Sequence, residues 1–159
     1  MLSISSGNGI FDVSSGTVTI TSSGSVSLNS GGSVSVSGGQ LLLDTMSTWA
    51  SDNSGNLEVS GGLVSLSNGP GPYTFKDATI SGSGTLSVAD QLTVSNLLFV
   101  TGGTVVATNT LSANSLSSTG GTISATGGSL SVTNNLMISG GTVSGSAPVK
   151  VSGAISLSA

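Results

Sequence analysis

Neither cysteine nor histidine occurs in the 159 residues. Disulfides and thiolate ligands are thereby removed, together with the commonest general base and the commonest side-chain metal ligand. Zinc, haem, iron–sulfur and Ser-His-Asp chemistry are excluded with them, and no cofactor is expected. Charge is almost as scarce. Two lysines, Lys76 and Lys150, stand against six acids and leave a formal net charge of −4. Such a surface cannot neutralise phosphates or hold an anionic membrane, so nucleic acid is not an expected partner. Long apolar runs are also missing. The longest, Leu97 to Val100, falls far short of the roughly 20 residues needed to cross a bilayer as a helix. A transmembrane barrel needs alternating strands of about 9 to 11 residues with aromatic girdles. Here the apolar bursts last about five residues and only 3% of the chain is aromatic. Membrane insertion is therefore not expected in either form.

What remains is Gly, Ser, Thr and aliphatic residues, and they are ordered. The mean hydropathy is +0.41, too apolar for a disordered Gly/Ser linker. Apolar and small polar residues alternate in short bursts: Val18 and Ile20, Val26 and Leu28, Val34 and Val36, Leu41 and Leu43. Alternation with period two is the mark of a half-buried strand. Gly16, Gly24, Gly31-Gly32 and Gly38-Gly39 stand between the bursts, where a sharp corner uses the backbone freedom of glycine. The same cadence returns after residue 100 with Val105, Leu111, Leu116, Ile123, Leu130, Leu136, Val143, Val149 and Ile155 leading successive bursts.

Three bursts make a turn of about 20 residues, a repeat that cannot bury its own apolar face and must stack on its neighbours. The expected fold is all-β: a single-stranded β-solenoid with about three short strands per coil and roughly eight coils in one domain over residues 1–159. At about 4.8 Å per coil, such a rod is a little under 40 Å long. An antiparallel sandwich or meander is the competing arrangement. Its two-residue turns favour Asn-Gly or Asp-Gly, whereas the corners here are mostly Gly-Gly or Ser-Gly, with single Asn-Gly pairs at Asn8 and Asn68. Poor helix formers and the lack of a 3.6-residue stripe leave no place for helices.

The segments "SGGSVSVSGGQLLL", "SGSGTLSVADQLTVSN", "TGGTISATGGSLSVTNNLMISGGTVSG" and "VKVSGAISLSA" resemble the right-handed parallel β-helices of bacterial surface proteins, namely autotransporter passenger domains and filamentous haemagglutinin-like adhesins. The resemblance covers nearly the whole chain. It implies a right-handed coil and an extracellular or cell-surface rod used for adhesion, biofilm or surface structure, and it carries over no catalytic residues. The first residues, "MLSISSGNG", lack the charged and apolar regions of a secretory signal. Signal-independent export, or a segment excised from a longer protein, is the corresponding expectation.

Two stretches interrupt the cadence, at 44–58 ("DTMSTWASDNSGNLE") and 68–79 ("NGPGPYTFKDAT"). They hold the single Trp, the single Tyr and four of the six acids, and they are expected to project as irregular loops. Projecting loops on a rigid scaffold commonly carry binding. The candidate ligand or inter-subunit contacts are therefore Trp49, Asp52, Glu58, Tyr73, Phe75, Lys76 and Asp77. Trp49 or Tyr73 stacking on a sugar ring, with a carboxylate pair drawn from Asp44, Asp52, Glu58 and Asp77, is the arrangement glycoside cleavage would require. Loops that only cover the core are the simpler expectation, and no enzymatic activity is expected. A β-roll calcium repeat is not present, because "GGQLLLD" occurs once with Leu where Gly belongs. Ice-binding solenoids carry a Thr-x-Thr ladder, of which "TVTIT" at 17–21 is the only good instance.

At both ends the strand cadence continues without a polar cap, and exposed solenoid ends recruit other chains. Leu2, Ile4 and Ile10 at one end and Val149, Val151, Ile155 and Leu157 at the other are the expected end-to-end contacts. The expected function is a non-enzymatic extracellular structural subunit stacking head to tail into a filament, with itself as partner. The alternative is an adhesin segment that binds carbohydrate on a host surface or biofilm.

Overall fold

The computed structural model describes residues 2–4, 9–21, 24–44, 48–69, 71–146 and 148–158. The strands are β1 (Leu2–Ile4), β2 (Ile10–Val13), β3 (Thr17–Ile20), β4 (Ser25–Leu28), β5 (Ser33–Val36), β6 (Gln40–Asp44), β7 (Thr48–Ser51), β8 (Asn56–Val59) and β9 (Leu63–Ser67). They continue as β10 (Tyr73–Ile80), β11 (Thr85–Val88), β12 (Leu92–Val100), β13 (Thr104–Ala107), β14 (Leu111–Ala125), β15 (Leu130–Val132), β16 (Leu136–Ser144), β17 (Val149–Val151) and β18 (Ile155–Leu157). No helix occurs among the described residues.

Every strand pairing is parallel, and each joins a strand to one that lies about one coil further along the chain. This excludes the antiparallel meander. The chain winds as a β-solenoid of about seven turns with three sheet faces. The first face runs through β1, β4, β7, the start of β10, the start of β12, the start of β14, β15 and β17. The second runs through β2, β5, β8, the later parts of β10, β12 and β14, the start of β16, and β18. The third runs through β3, β6, β9, β11, β13 and the ends of β14 and β16.

The coil tightens along the rod. Val26 pairs with Trp49 and Leu41 with Val64, both 23 residues apart, whereas Leu92 pairs with Leu111 at 19 and Val105 with Ile123 at 18. Most of the difference lies at the corner between the first and second faces, and one residue of it lies between the third face and the first. Asn29–Gly32 and Asp52–Gly55 make four-residue corners in the early coils, while β10, β12 and β14 pass the same corner as continuous strands with a register shift.

Alternation places one side chain in two inside, so the core is a set of columns. On the second face Val34, Leu57, Ala78, Leu98, Leu116 and Leu136 stand in register and are all buried. Leu41, Val64, Leu86, Val105 and Ile123 form the corresponding column of the third face. Each buried aliphatic side chain is worth about 1.5–3 kcal/mol relative to exposure. Ser118 is the exception in its column, between Val100 and Ile138, and it is fully enclosed. Its hydroxyl donates to the carbonyls of Gly120 (3.2 Å) and Gly140 (3.1 Å), which satisfies it in an apolar setting.

The corner between the second and third faces is built on glycine for two reasons. Gly121 has φ +74°, and a Cβ there would lie 2.6 Å from the carbonyl oxygen of Gly103, one coil below. That oxygen accepts a 3.0 Å hydrogen bond from Thr122 N–H, so the two coils meet backbone to backbone with no room for a side chain.

Where they are described, the stretches 44–58 and 68–79 follow the coil and do not project as irregular loops. The coil runs through them as β7, β8 and β10, and Tyr73 and Phe75 point into the core. Their residue types hide a regular alternation: Tyr73, Phe75, Ala78 and Ile80 are inward and Thr74, Lys76, Asp77 and Thr79 outward, with the phase shifted at Lys76. Residues 45–47 of the first stretch and residue 70 of the second lie outside the described residues.

Candidate functional site

The first face is divided. β1, β4 and β7 form a separate three-stranded sheet, and β7 does not pair with the next rung, Tyr73–Phe75 of β10. The reason is the side chains that meet there. Trp49 stands edge-on to Tyr73 with ring centroids 5.3 Å apart and to Phe75 at 5.1 Å. One ring thus meets two rings of the next rung edge-on, at interplanar angles of 66° and 61°, where a continuous ladder would set one side chain flat on one side chain. Pro72, just before Tyr73, has no N–H to give to a ladder. A groove of about 460 Å³ opens on the outside of this split, lined in part by Asn29, Trp49, Asp52, Asn53, Pro72 and Thr74.

Of the candidate residues, the groove thus gathers Trp49 and Asp52. Tyr73 and Phe75 lie behind it in the core with no exposure worth the name, so neither can stack on a ligand. Burial, with the charges of Asp90 and then Asp44 adding to it, pushes the Tyr73 phenol up to about 12. Its hydroxyl is enclosed, and so is the Trp49 indole N–H. Neither has a hydrogen-bond partner among the described residues.

The carboxylates have other work. Asp52 accepts from Ser30 N–H at 2.8 Å, from Ser54 N–H at 3.0 Å and from the Ser54 hydroxyl, tying its corner to the corner one coil below. The Ser30 N–H first, and the Ser54 hydroxyl second, hold its carboxyl below the ordinary range. Asp77 accepts from Asn96 Nδ2 (2.7 Å) and Leu97 N–H (3.2 Å), and Asp44 from Asn68 Nδ2 (3.0 Å) and the Ser67 hydroxyl (3.2 Å). Three of the four acids considered as a catalytic pair are therefore staples between neighbouring coils. Glu58 is exposed on the second face, in a trough with Asp77, Asn56, Thr79 and Ile10. Lys76 is exposed at the register shift of β10, where its backbone N–H donates to Gly55 O at 2.7 Å. Among the described residues no group of three or more acids is placed to hold a metal ion.

At the C-terminal end, Ile155 is 59% and Leu157 70% exposed, although they continue the columns of Leu136 and Ile138. Val149 is exposed and Val151 half-buried. At the other end, Leu2 and Ile4 stand in backbone register with Val26 and Leu28, their side chains lying outside the described residues. Ile10 differs from the other end residues. It points outward, and the inward residues of β2 are Phe11 and Val13, because the register sets Phe11 on Val34.

Two features escaped the sequence reading. Thr85, Thr104, Thr122 and Thr142 form an outward column in exact register on the third face. Their companions are Ser87, Val106, Ser124 and Ser144, so the column is threonine on one side only. Aligning the chain on the glycine preceding each threonine would have found it. Leu97, Phe99 and Met137 face outward on the second face around Ser117, which is only 7% exposed and has no partner for its hydroxyl among the described residues. No signal short of the full register joins these four residues. Comparison with protein-family models, with curated proteins and with solved structures finds no match to this chain, so its own strand register carries the assignment as a parallel β-solenoid.

Proposed function

We propose that the chain is a non-enzymatic structural rod of the extracellular space or cell surface, whose copies stack end to end into a filament. The observation that carries this reading is the open final coil. Ile155 lies largely exposed in the column where Leu98 and Leu116 are buried, and Leu157 in the column where Val100 and Ser118 are buried. Among the described residues β17 and β18 are each paired on one side only, and a strand edge of this kind takes up a further parallel strand. In register, β17 and β18 receive β1 and β2 of the next copy, joining the two along the first and second faces. Such a contact is heterologous and does not close, and it therefore propagates.

Electron microscopy and sedimentation over a range of concentrations test this. Filaments that grow with concentration and disappear in Leu157→Lys, with the strand content unchanged by circular dichroism, are the expected result. Discrete monomers of the native chain at every concentration would overturn it.

A further inference from the structure

We infer that the split in the first face is a docking slot for an extended polypeptide strand, which pairs in parallel with the free edge of β7. This does not rest on end-to-end stacking, since the slot lies on the side of the rod between its third and fourth coils.

Two strand edges border the slot. Among the described residues β7 pairs with β4 alone, and Tyr73–Phe75 pairs with β12 alone. In a parallel ladder each strand turns N–H and C=O groups to both sides, so β7 presents main-chain donors and acceptors to the groove. The opposite lip is blunted by Pro72, a residue that belongs at sheet edges because it cannot donate. The groove is shut at one end by the hydrogen bond from Lys76 N–H to Gly55 O. Elsewhere it is wedged apart by Trp49 against Tyr73 and Phe75.

The chemistry selects the occupant. A row of alternating main-chain donors and acceptors is matched by another main chain, with alternate side chains giving specificity. A saccharide would look for side-chain acceptors, and the Asp52 carboxylate is already taken by Ser30 and Ser54. An anionic ligand would meet the Asp52 charge on the groove wall. The fitting ligand is a short, extended, uncharged peptide with a small residue over the Trp49 ring.

The probe is the blocked peptide GSVSLN, the sequence of Gly24–Asn29, whose strand β4 already pairs in parallel with the other edge of β7. It is titrated into the isotope-labelled full chain, with amide hydrogen exchange read residue by residue and Trp49 emission followed in parallel. The expected result is a saturable slowing of exchange, tenfold or more, for the slot-facing amides of Thr48–Ser51, together with a shift in Trp49 emission. A peptide with proline in place of its valine produces neither change. The inference is overturned by unchanged exchange at Thr48–Ser51, by an equal effect of the proline peptide, or by slowing confined to β17 and β18. That last outcome would place added strands at the rod end and leave end-to-end stacking intact.

Discussion

Two adjacent glycines in one corner separate the two reasons that corner needs glycine. Gly103 has φ +67°, and a Cβ there would overlap the Gly84 carbonyl oxygen, which accepts a 2.9 Å hydrogen bond from Thr104 N–H. Gly102 has no left-handed φ, and its Cβ would come no closer than 3.1 Å, to Gly82 N. For Gly103→Ala the left-handed backbone costs about 1–2 kcal/mol. Displacing the Gly84 carbonyl from Thr104 adds about 1–3 kcal/mol for a strained or broken enclosed hydrogen bond. The stiffer unfolded chain returns about 0.4–1 kcal/mol. The net expectation is a loss of about 2–4 kcal/mol. Gly102→Ala needs only a few tenths of an ångström of give and gains the same unfolded-state term, so its change stays within about 1 kcal/mol of zero. Urea unfolding followed by the emission of the single tryptophan measures both variants, and amide exchange at Thr104 reports the corner directly. Equal losses in the two variants would refute the account, because they would mean that neither φ nor the coil-to-coil approach distinguishes the positions.

Ser118→Ala should destabilise by about 1–2 kcal/mol in the same urea assay, because it removes the donor that bridges the Gly120 and Gly140 carbonyls inside the core. The Asp52 carboxyl is held below its ordinary range in the folded chain, so its contribution is present above the unfolded value of 3.8 and is lost as pH falls below it. Ser30 amide exchange, corrected for its intrinsic pH dependence, should therefore quicken on acidification through that range, and Asp52→Asn should abolish the response. The Tyr73 phenol is raised to about 12 from 10.0, so the fold keeps its full contribution below pH 10 and loses it as pH rises towards 12. Tyrosinate absorbance in the native chain should appear near 12, with alkaline destabilisation that Tyr73→Phe removes; titration at an ordinary phenol value would contradict the burial of this ring.

The regular coils were readable because their rule is local. Val34-x-Val36, Leu86-x-Val88 and Leu130-x-Val132 each show period-two alternation within four residues, and the Gly-Gly pairs between such bursts mark corners. Tyr73 and Phe75 escaped that rule for the complementary reason. Beside proline and charge they look like a loop, yet alternation buries Tyr73 and Phe75 as it buries any valine. The carboxylates' part as staples was not legible because their partners lie about one coil away: Asp52 meets Ser30 across 22 residues and Asp77 meets Asn96 across 19. Sequence proximity carries no trace of those bonds.

What the sequence determined by itself was a β-solenoid: its alternation fixes which side chains turn inward, its glycines fix where the chain bends, and the distance between bends fixes the coil length. Tertiary structure alone decided which residues become neighbours between coils. That choice depends on register, and one corner longer or shorter by a few residues, as between Asp52–Gly55 and the continuous β12, changes every partner on the next rung. The split beside Trp49, the threonine column of the third face and the carboxylate staples all arise at that level, where steric fit between stacked side chains decides what the local pattern leaves open.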